Sequence, residues 1–161
     1  MREIIIAAGG KSEYKIAVPQ NASQPEMFAA RELQKYIAEA SGASLPIAEE
    51  GGAGSLFISV GNTRAFAALG IALDEKTLNY DGFVIKTAGR CVYIAAACGR
   101  GVVYGACDFA ERFLGVKFLS PGETLVPACD KVVIGETDIL EKPVFRFRNF
   151  YDGGLFFTNQ N

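Results

Sequence analysis

The chain has 161 residues, half of them hydrophobic, and its 16 basic and 18 acidic residues leave a formal net charge of -2. This length suits one domain whose core needs no disulfide or metal to hold it together. The charge balance gives no reason to expect a nucleic-acid partner, and no apolar run approaches the roughly 20 residues of a membrane span. Because the sequence lacks histidine, histidine-based acid–base catalysis, serine triads and HExxH zinc sites are excluded within it, and no motif in it requires a cofactor.

The chain begins with two short strand patterns. Residues 3–8 and 14–18 are rich in apolar and β-branched side chains, and a glycine turn separates them, so we expect an opening hairpin. The turn contains Gly10-Lys11-Ser12, which resembles part of a phosphate-binding loop. Such a loop needs a glycine where this chain has Ile5, and it must open a helix, whereas a strand pattern follows here. A plain turn is therefore favoured.

A long amphipathic helix is predicted next. Ser23 and Glu26 have the spacing of a capping box, and Gly42 is a typical residue for the end of a helix. The predicted buried stripe comprises Met27, Ala30, Leu33, Ile37 and Ala40. The opposite face carries Arg31, Glu32, Lys35 and Glu39, which we interpret as a solvated surface. After this helix we expect a loop at residues 46–54, a buried strand at 55–60 and a short helix at 64–69.

The most apolar part of the chain, residues 80–119, predicts the centre of the fold. It contains a hairpin over residues 82–97 with a glycine turn near Gly89, then a helix over 102–114 and a short strand over 116–119. Two late edge strands are expected at 124–127 and 131–134. Together these elements predict an α+β fold with a mixed, mainly antiparallel sheet and two main helices packed on one face.

The turn that precedes the second helix has the pattern GxGxxxG, from Gly99 to Gly105. A dinucleotide-binding loop has GxGxxG and an acidic residue about 20 positions later, and neither feature is present. The glycines are better explained by a tight turn and close helix packing. Nucleotide or phosphate binding remains an alternative, and Gly99, Arg100 and Gly101 are the candidate residues for an anion at this helix N-terminus.

Acidic pairs and cysteines give no convincing reactive centre. Asp108 and Glu111 share a helix face, but nothing indicates the burial that would raise a carboxyl pKa for general acid catalysis. Asp81 lies beside a glycine and is interpreted as a turn residue. The cysteines have no CxxC spacing, and free thiols are favoured over a disulfide. They are Cys91, Cys98, Cys107 and Cys129.

The character of the sequence changes at about residue 143. Aromatic and basic residues alternate there, and exposed aromatic surface usually marks an interface. The candidate interface residues are Phe145, Phe147, Phe150 and Tyr151. We therefore expect residues 1–142 to form one domain and residues 143–161 to be a linker or the start of a further domain in a longer polypeptide. The alternative is that this segment folds back as one more strand.

Several phrases in order carry a family resemblance. They are FAARELQKYI from Phe28, LPI from Leu45, ISVGNT from Ile58, DGFVIKT from Asp81, GVVYG from Gly101 and FLGVKFLSPGE from Phe113. As a series they resemble the N-terminal non-catalytic domain of family 20 β-hexosaminidases and family 67 α-glucuronidases, and of related gut-bacterial proteins. The resemblance covers about residues 2–142.

This resemblance implies a zincin-like fold without a metal site and a catalytic (β/α)8 barrel downstream, with catalytic residues on that barrel and none in this chain. The expected partner is that barrel, and a periplasmic or secreted location is implied, although the sequence shows no signal peptide. A second hypothesis is a carbohydrate-binding module. Its candidate aromatic platforms are Tyr14, Tyr36, Tyr80, Phe150 and Tyr151.

Overall fold

The structure is a computed structural model that describes residues 3–74, 78 and 80–145. Its strands are β1 (Ile4–Ala8), β2 (Lys15–Val18), β3 (Ile47–Glu49), β4 (Phe57–Val60), β5 (Phe83–Ala88), β6 (Cys91–Ala96), β7 (Lys117–Ser120), β8 (Glu123–Leu125), β9 (Lys131–Ile134) and β10 (Asp138–Glu141). Its α-helices are α1 (Gln24–Ser41), α2 (Arg64–Ala67) and α3 (Gly99–Leu114). None of the helices in these ranges is long and apolar enough to cross a membrane.

The main sheet has six strands in the order β10-β5-β6-β4-β2-β3. Strands β3, β2, β4 and β6 pair in parallel, while β5 and β10 each run antiparallel to their neighbours. Strands β1 and β9 form a separate antiparallel pair, as do β7 and β8. Four of the seven pairings in the described part of the chain are thus antiparallel. The predicted α+β class with a mixed sheet is confirmed.

Both long helices pack on one face of the main sheet. Their buried side chains, including Leu33, Ile37 and Phe109, join Ile16, Ile58 and Ile94 of the sheet in the larger core. A smaller core on the opposite face is formed by Phe66, Leu78, Val84, Tyr93 and Ala95. Neighbouring residues of β6 thus point into different cores, as the alternation of side chains along a strand requires.

The predicted hairpin at the centre of the chain is confirmed. Strands β5 and β6 pair over their full length, from Phe83 opposite Ala96 to Ala88 opposite Cys91. The two-residue turn between them uses Gly89 at a φ of 62°, a conformation that favours glycine.

The predicted opening hairpin is wrong. Strand β1 pairs with β9, and β2 pairs with β3 and β4. The isolated bridge between Ala8 and Lys11 lies within the turn and does not reach β2. The physical reason is that Val132 and Ile134 of β9 are fully buried and complete the core above Ile4 and Ile6, a partnership over more than 120 residues that local patterns cannot show.

Two strands were not predicted. Residues 46–54 were expected to be a loop, but Ile47–Glu49 forms β3 at one edge of the main sheet, and Asp138–Glu141 forms β10 at the other. Both are short and partly exposed, so neither carries the continuous apolar run of a central strand. An ion pair between Lys86 and Asp138, which lie directly opposite each other, helps hold β10 against β5.

The predicted ends of helix α1 are confirmed, and Glu26 connects this helix to the sheet. One carboxylate oxygen of Glu26 accepts the Ser23 backbone N–H at 2.8 Å, and the other accepts the Asn62 backbone N–H at 3.2 Å. Gly61 has a φ of 93°, which favours glycine, and a Cβ atom there would also lie 2.3 Å from the Glu26 carboxylate. The capping residue thus also fixes the loop that follows β4.

Substitution Glu26→Ala is expected to lower the free energy of unfolding by about 1–2 kcal/mol, because two backbone N–H groups lose their acceptor. Urea unfolding followed by circular dichroism measures this loss. Glu39→Ala, in the same helix at an exposed position, is the control and should change stability by less than about 0.5 kcal/mol. Equal midpoints for the two variants would contradict the double role of Glu26.

Candidate functional site

The predicted anion-site residues form the first turn of helix α3. Arg100 is already engaged: its Nε donates to Oδ1 of Asp81 at 2.8 Å, and its guanidinium carbon lies 5.3 Å from the centre of the Tyr80 ring. The hydrogen bond and charge of Asp81 raise the pKa of Arg100. Asp81 is buried, so this pair joins the entry of β5 to the start of α3. The anion site stays a prediction, and its charged candidate, Arg100, is already paired with the Asp81 carboxylate.

The glycines around Arg100 are contact points between elements. A Cβ atom on Gly99 would lie 2.8 Å from Pro25 of helix α1, and one on Gly101 would lie 2.7 Å from both the Ala96 Cβ and the Gly82 carbonyl oxygen. Farther along α3, a Cβ atom on Gly105 would lie 2.8 Å from Ile94. These distances support close packing as the reason for the GxGxxxG pattern. They offer no support to the nucleotide-binding alternative.

A groove lies between the N-terminal halves of α1 and α3, and we call it the α1–α3 groove. Its volume is about 780 Å³. It is lined by Ala22, Gln24, Pro25, Met27, Phe28, Arg31, Arg100 and Val103. Phe28 is 52% exposed although it is a large aromatic residue. Among the described residues Arg31 forms no ion pair, so the groove combines an apolar floor with one uncompensated positive charge.

A second groove, which we call the exit groove, adjoins the end of β10. Its volume is about 550 Å³, and it is lined by Asp81, Phe83, Tyr104, Asp108, Arg112, Glu141, Lys142 and Pro143. Arg112 binds Asp108 at 2.6 Å and Glu141 at 2.7 Å, which ties the last strand to α3. Val144 and Phe145, the last residues that the structure describes, follow this groove and are 86% and 70% exposed.

The aromatic residues predicted for an interface or for sugar binding differ in their exposure to solvent. Phe145 is exposed next to the exit groove, whereas Phe147, Phe150 and Tyr151 lie outside the described residues. Tyr14 and Tyr36 are buried in the core and cannot act as platforms for a sugar. Tyr80 is 45% exposed but lies under Arg100. Among the described candidates, Tyr14 and Tyr36 are therefore excluded as sugar-binding platforms and Tyr80 lies against Arg100, which weakens the carbohydrate-binding hypothesis.

Burial of Tyr36 in the core is expected to make the stability of the folded chain depend on pH at alkaline values. Burial, with the neighbouring Glu32 as second cause, raises the pKa of Tyr36 from 10.0 to about 12. Since the folded state resists ionisation that the unfolded chain permits, this stabilisation is complete below pH 10 and is lost as the pH rises towards 12. Urea unfolding at a series of alkaline pH values should show a steep loss of stability in this window.

The variant Tyr36→Phe is expected to weaken that alkaline pH dependence, since it removes the titrating group and keeps the ring. Tyr14 and Tyr93, whose pKa burial also raises, account for what remains. Identical slopes for the wild type and Tyr36→Phe would refute the assignment.

The described residues contain no group of three or more cysteine, aspartate or glutamate side chains placed to hold a metal. The four cysteines are free thiols and partly buried. Burial, followed by Glu32 and Glu111, raises the pKa of Cys107, which disfavours the reactive thiolate. The thiols of Cys91 and Cys98 donate to the backbone oxygens of Ser55 and Tyr80.

Sequence reasoning missed three residues of this region. Asp81 was interpreted as a turn residue but is the partner of Arg100, and Phe28 was assigned to no surface. Arg31 was assigned to a solvated face. A signal was present, because Phe28 and Arg31 are three residues apart on the face of α1 opposite its buried stripe, where an aromatic residue is out of place.

Comparisons with known proteins now add to this geometry. Residues 9–109 match the family described as the N-terminus of glycosyl hydrolase family 67. No curated protein sequence matches the chain significantly. A solved family GH115 4-O-methyl-α-glucuronidase is similar with a TM-score of 0.63 and 16% identity, over 87% of this chain and 18% of that one.

Two solved GH20 enzymes are also similar. The β-N-acetylhexosaminidase from Streptomyces coelicolor A3(2) has a TM-score of 0.51 and 17% identity, over 91% of this chain and 24% of that one. The exo-β-N-acetylglucosaminidase from Vibrio harveyi has a TM-score of 0.51 and 14% identity, over 92% of this chain and 18% of that one. At these identities the likeness shows the fold, and the present chain spans about a fifth of the length of these proteins.

Proposed function

Because the chain belongs to the family of glycosyl hydrolase family 67 N-terminal domains, we propose that it is a non-catalytic accessory domain of a glycoside hydrolase. The family match carries this proposal, since it spans α1, the strands between the two long helices, and α3 as far as Phe109. The similar solved structures are glycoside hydrolases, and the part of each that resembles this chain is only 18–24% of its length. In the proposed arrangement the hydrolytic chemistry belongs to another part of the same polypeptide.

The ion pairs of the domain support a scaffold role. Asp81 and Arg100 join β5 to α3, and Arg112 joins α3 to Glu141 of β10. Each of these ion pairs connects one secondary-structure element to another, so its charges are neutralised within the domain. Such an arrangement holds a rigid surface for a partner.

The proposed partner is a catalytic (β/α)8 barrel that follows in the same polypeptide and packs against this domain. The proposed boundary lies after residue 142, directly behind β10, and residues 143–161 would lead into the barrel. The exposure of Val144 and Phe145 beyond the last strand favours that boundary. We further propose that the full-length enzyme acts in the periplasm or outside the cell, and fractionation of cells that express it tests this location.

The decisive experiment compares three proteins: the present chain, the full-length polypeptide and the polypeptide without residues 1–142. Each is assayed on aryl glycosides of uronic acids and of N-acetylhexosamines and is melted by calorimetry. We expect turnover by the full-length protein, none by the present chain, and a lower melting temperature when the domain is removed. Turnover by the present chain, or a barrel whose melting is unaffected by the deletion, would reject the proposal.

A thermal-shift screen of the present chain separates the accessory role from direct ligand binding. Any ligand that binds only the folded state raises the melting temperature by mass action. The screen uses uronic acids, N-acetylhexosamines, oligosaccharides and nucleotides. We expect no shift, and a shift specific to one sugar class would favour a carbohydrate-binding module instead.

A further inference from the structure

The last two described strands are anchored very differently. Strand β9 has Val132 and Ile134 fully buried in the larger core. Strand β10 contributes only Ile139 to that core, as a partly buried side chain, while its Leu140 is 50% exposed. Local opening of a folded protein is easiest where few apolar side chains are buried. The boundary between a firmly anchored and a weakly anchored strand therefore lies at Gly135, between β9 and β10.

Ion pairs hold both ends of β10 in place. At one end Asp138 pairs with Lys86, and at the other Glu141 accepts a hydrogen bond from Arg112 at 2.7 Å. All four side chains are partly or largely exposed to solvent, where dissolved salt screens such pairs. Strand β10 also lies at the edge of the main sheet, with β5 as its neighbour. Its attachment thus depends on one strand pairing and on two ion pairs that salt weakens.

We propose that β10 is a releasable strap: it detaches from β5 as one unit while the rest of the domain stays folded, and its two ion pairs control how often it does so. The attached position is the resting one. The pivot is Gly135, where a Cβ atom would meet no heavy atom within 4 Å, so the chain has room to turn there. Release breaks the hydrogen bonds between Thr87 and Thr137 and withdraws Ile139 from the larger core. The smaller core contains no side chain of β10 and stays intact.

Release lengthens the connection to whatever follows residue 142, and this consequence rests on the proposed function. With β10 attached, the domain holds the chain as far as Glu141, whereas with β10 free it holds the chain only as far as Ile134. The freed residues 135–141 span roughly 23–25 Å when fully extended. A catalytic domain attached behind residue 142 gains that much reach, and neither domain has to unfold. The strap thus gives one connection two lengths.

Amide hydrogen exchange read by mass spectrometry tests the release in the present chain and in the full-length polypeptide. Exchange of β10 is compared with that of the central strand β6 at about 20 mM and about 500 mM sodium chloride. We expect β10 to exchange at least about tenfold faster than β6, because β10 opens locally and β6 opens only with the whole domain. The rate for β10 should rise roughly threefold at the higher salt concentration, since screening weakens both ion pairs. Strand β6 should show no such rise.

Substitutions that remove the ion pairs test their control of the strap. Lys86→Gln and Arg112→Gln each remove one pair and leave the sequence of β10 unchanged. We expect each variant to raise the exchange rate of β10 roughly twofold to threefold at low salt, and the double variant to lose the salt dependence. Arg64→Gln is the matched control, because it removes a surface ion pair, with Glu50, that does not involve β10. Its exchange at β10 should equal that of the wild type.

The outcomes separate this inference from the function behind it. Equal protection of β10 and β6 would show that β10 opens only with the whole domain, which overturns the strap. Faster exchange of β10 that ignores both salt and the two substitutions would overturn control by the ion pairs. Release that occurs in the present chain and is lost in the full-length polypeptide would overturn the two-length connection. Turnover by the present chain would reject the accessory role and leave the release of β10 in place.

Discussion

A chain that ends at Asp130 is expected to lose cooperative unfolding, although it retains every residue matched by the family. The missing strands β9 and β10 contain Val132 and Ile134, which are fully buried. Their removal also uncovers Ile4 and Ile6 of β1. Burial of such side chains contributes about 1.5–3 kcal/mol each. Four of them approach the whole stability of a domain, which is about 5–15 kcal/mol.

Circular dichroism and urea unfolding measure this effect. The control is a chain that ends at Phe145, which keeps β10 and should unfold in one cooperative transition close to that of the 161-residue chain. The single substitution Ile134→Ala should cost about 2–4 kcal/mol, because it leaves a cavity between β9 and the core. A cooperative transition with an unchanged denaturant slope in the chain that ends at Asp130 would show that β9 is dispensable.

The second large effect is expected at Gly101. Alanine is the better helix former by about 1 kcal/mol, so propensity alone predicts that Gly101→Ala stabilises α3. The added Cβ would however lie 2.7 Å from the Ala96 Cβ and from the Gly82 carbonyl oxygen. The first is the methyl carbon of the last residue of β6 and the second is a backbone oxygen directly before β5, so neither can move aside by a change of rotamer. We therefore expect a net loss of about 2 kcal/mol for alanine and a larger loss for valine.

Thermal and urea unfolding of the Gly101 variants test this sign. Gly135→Ala is the matched control, because a Cβ atom there meets no heavy atom within 4 Å, and it should change stability by less than about 0.5 kcal/mol. A more stable Gly101→Ala protein would disprove the packing explanation. Measured nucleotide affinity that falls in this variant would revive the alternative in which the glycines approach a phosphate.

The parts of the fold that the sequence predicted are those with strong local signals. Helix α1 has an apolar stripe, a capping residue at Glu26 and a terminating glycine at Gly42, whose φ is 74°. The β5–β6 hairpin has a glycine in its turn, Gly89, whose φ of 62° favours that residue. For α3 the existence of the helix was right, and the helix begins at Gly99, three residues before the predicted start.

The missed parts depend on partners distant in the sequence. The pairing of β1 is decided by the buried side chains of β9, and the parallel pairing of β2 with β4 requires the intervening helix to cross the sheet. The edge strands β3 and β10 are too short and polar to be distinguished from loops. The surface at Phe28 and Arg31 was missed for the same reason: its shape is made by α1 and α3 together, and neither helix alone indicates a groove.

The pairing of β1 with β9 also has a consequence for biosynthesis. The ribosome makes β1 first. Its apolar residues Ile4 and Ile6 can be buried only after Val132 and Ile134 have been synthesised, more than 120 residues later. During that interval the nascent chain exposes an unpaired, β-branched strand, the kind of segment that aggregates or recruits chaperones. The domain therefore completes its fold only after most of it has been synthesised. A pause in translation after β10 would give the domain time to pair these strands.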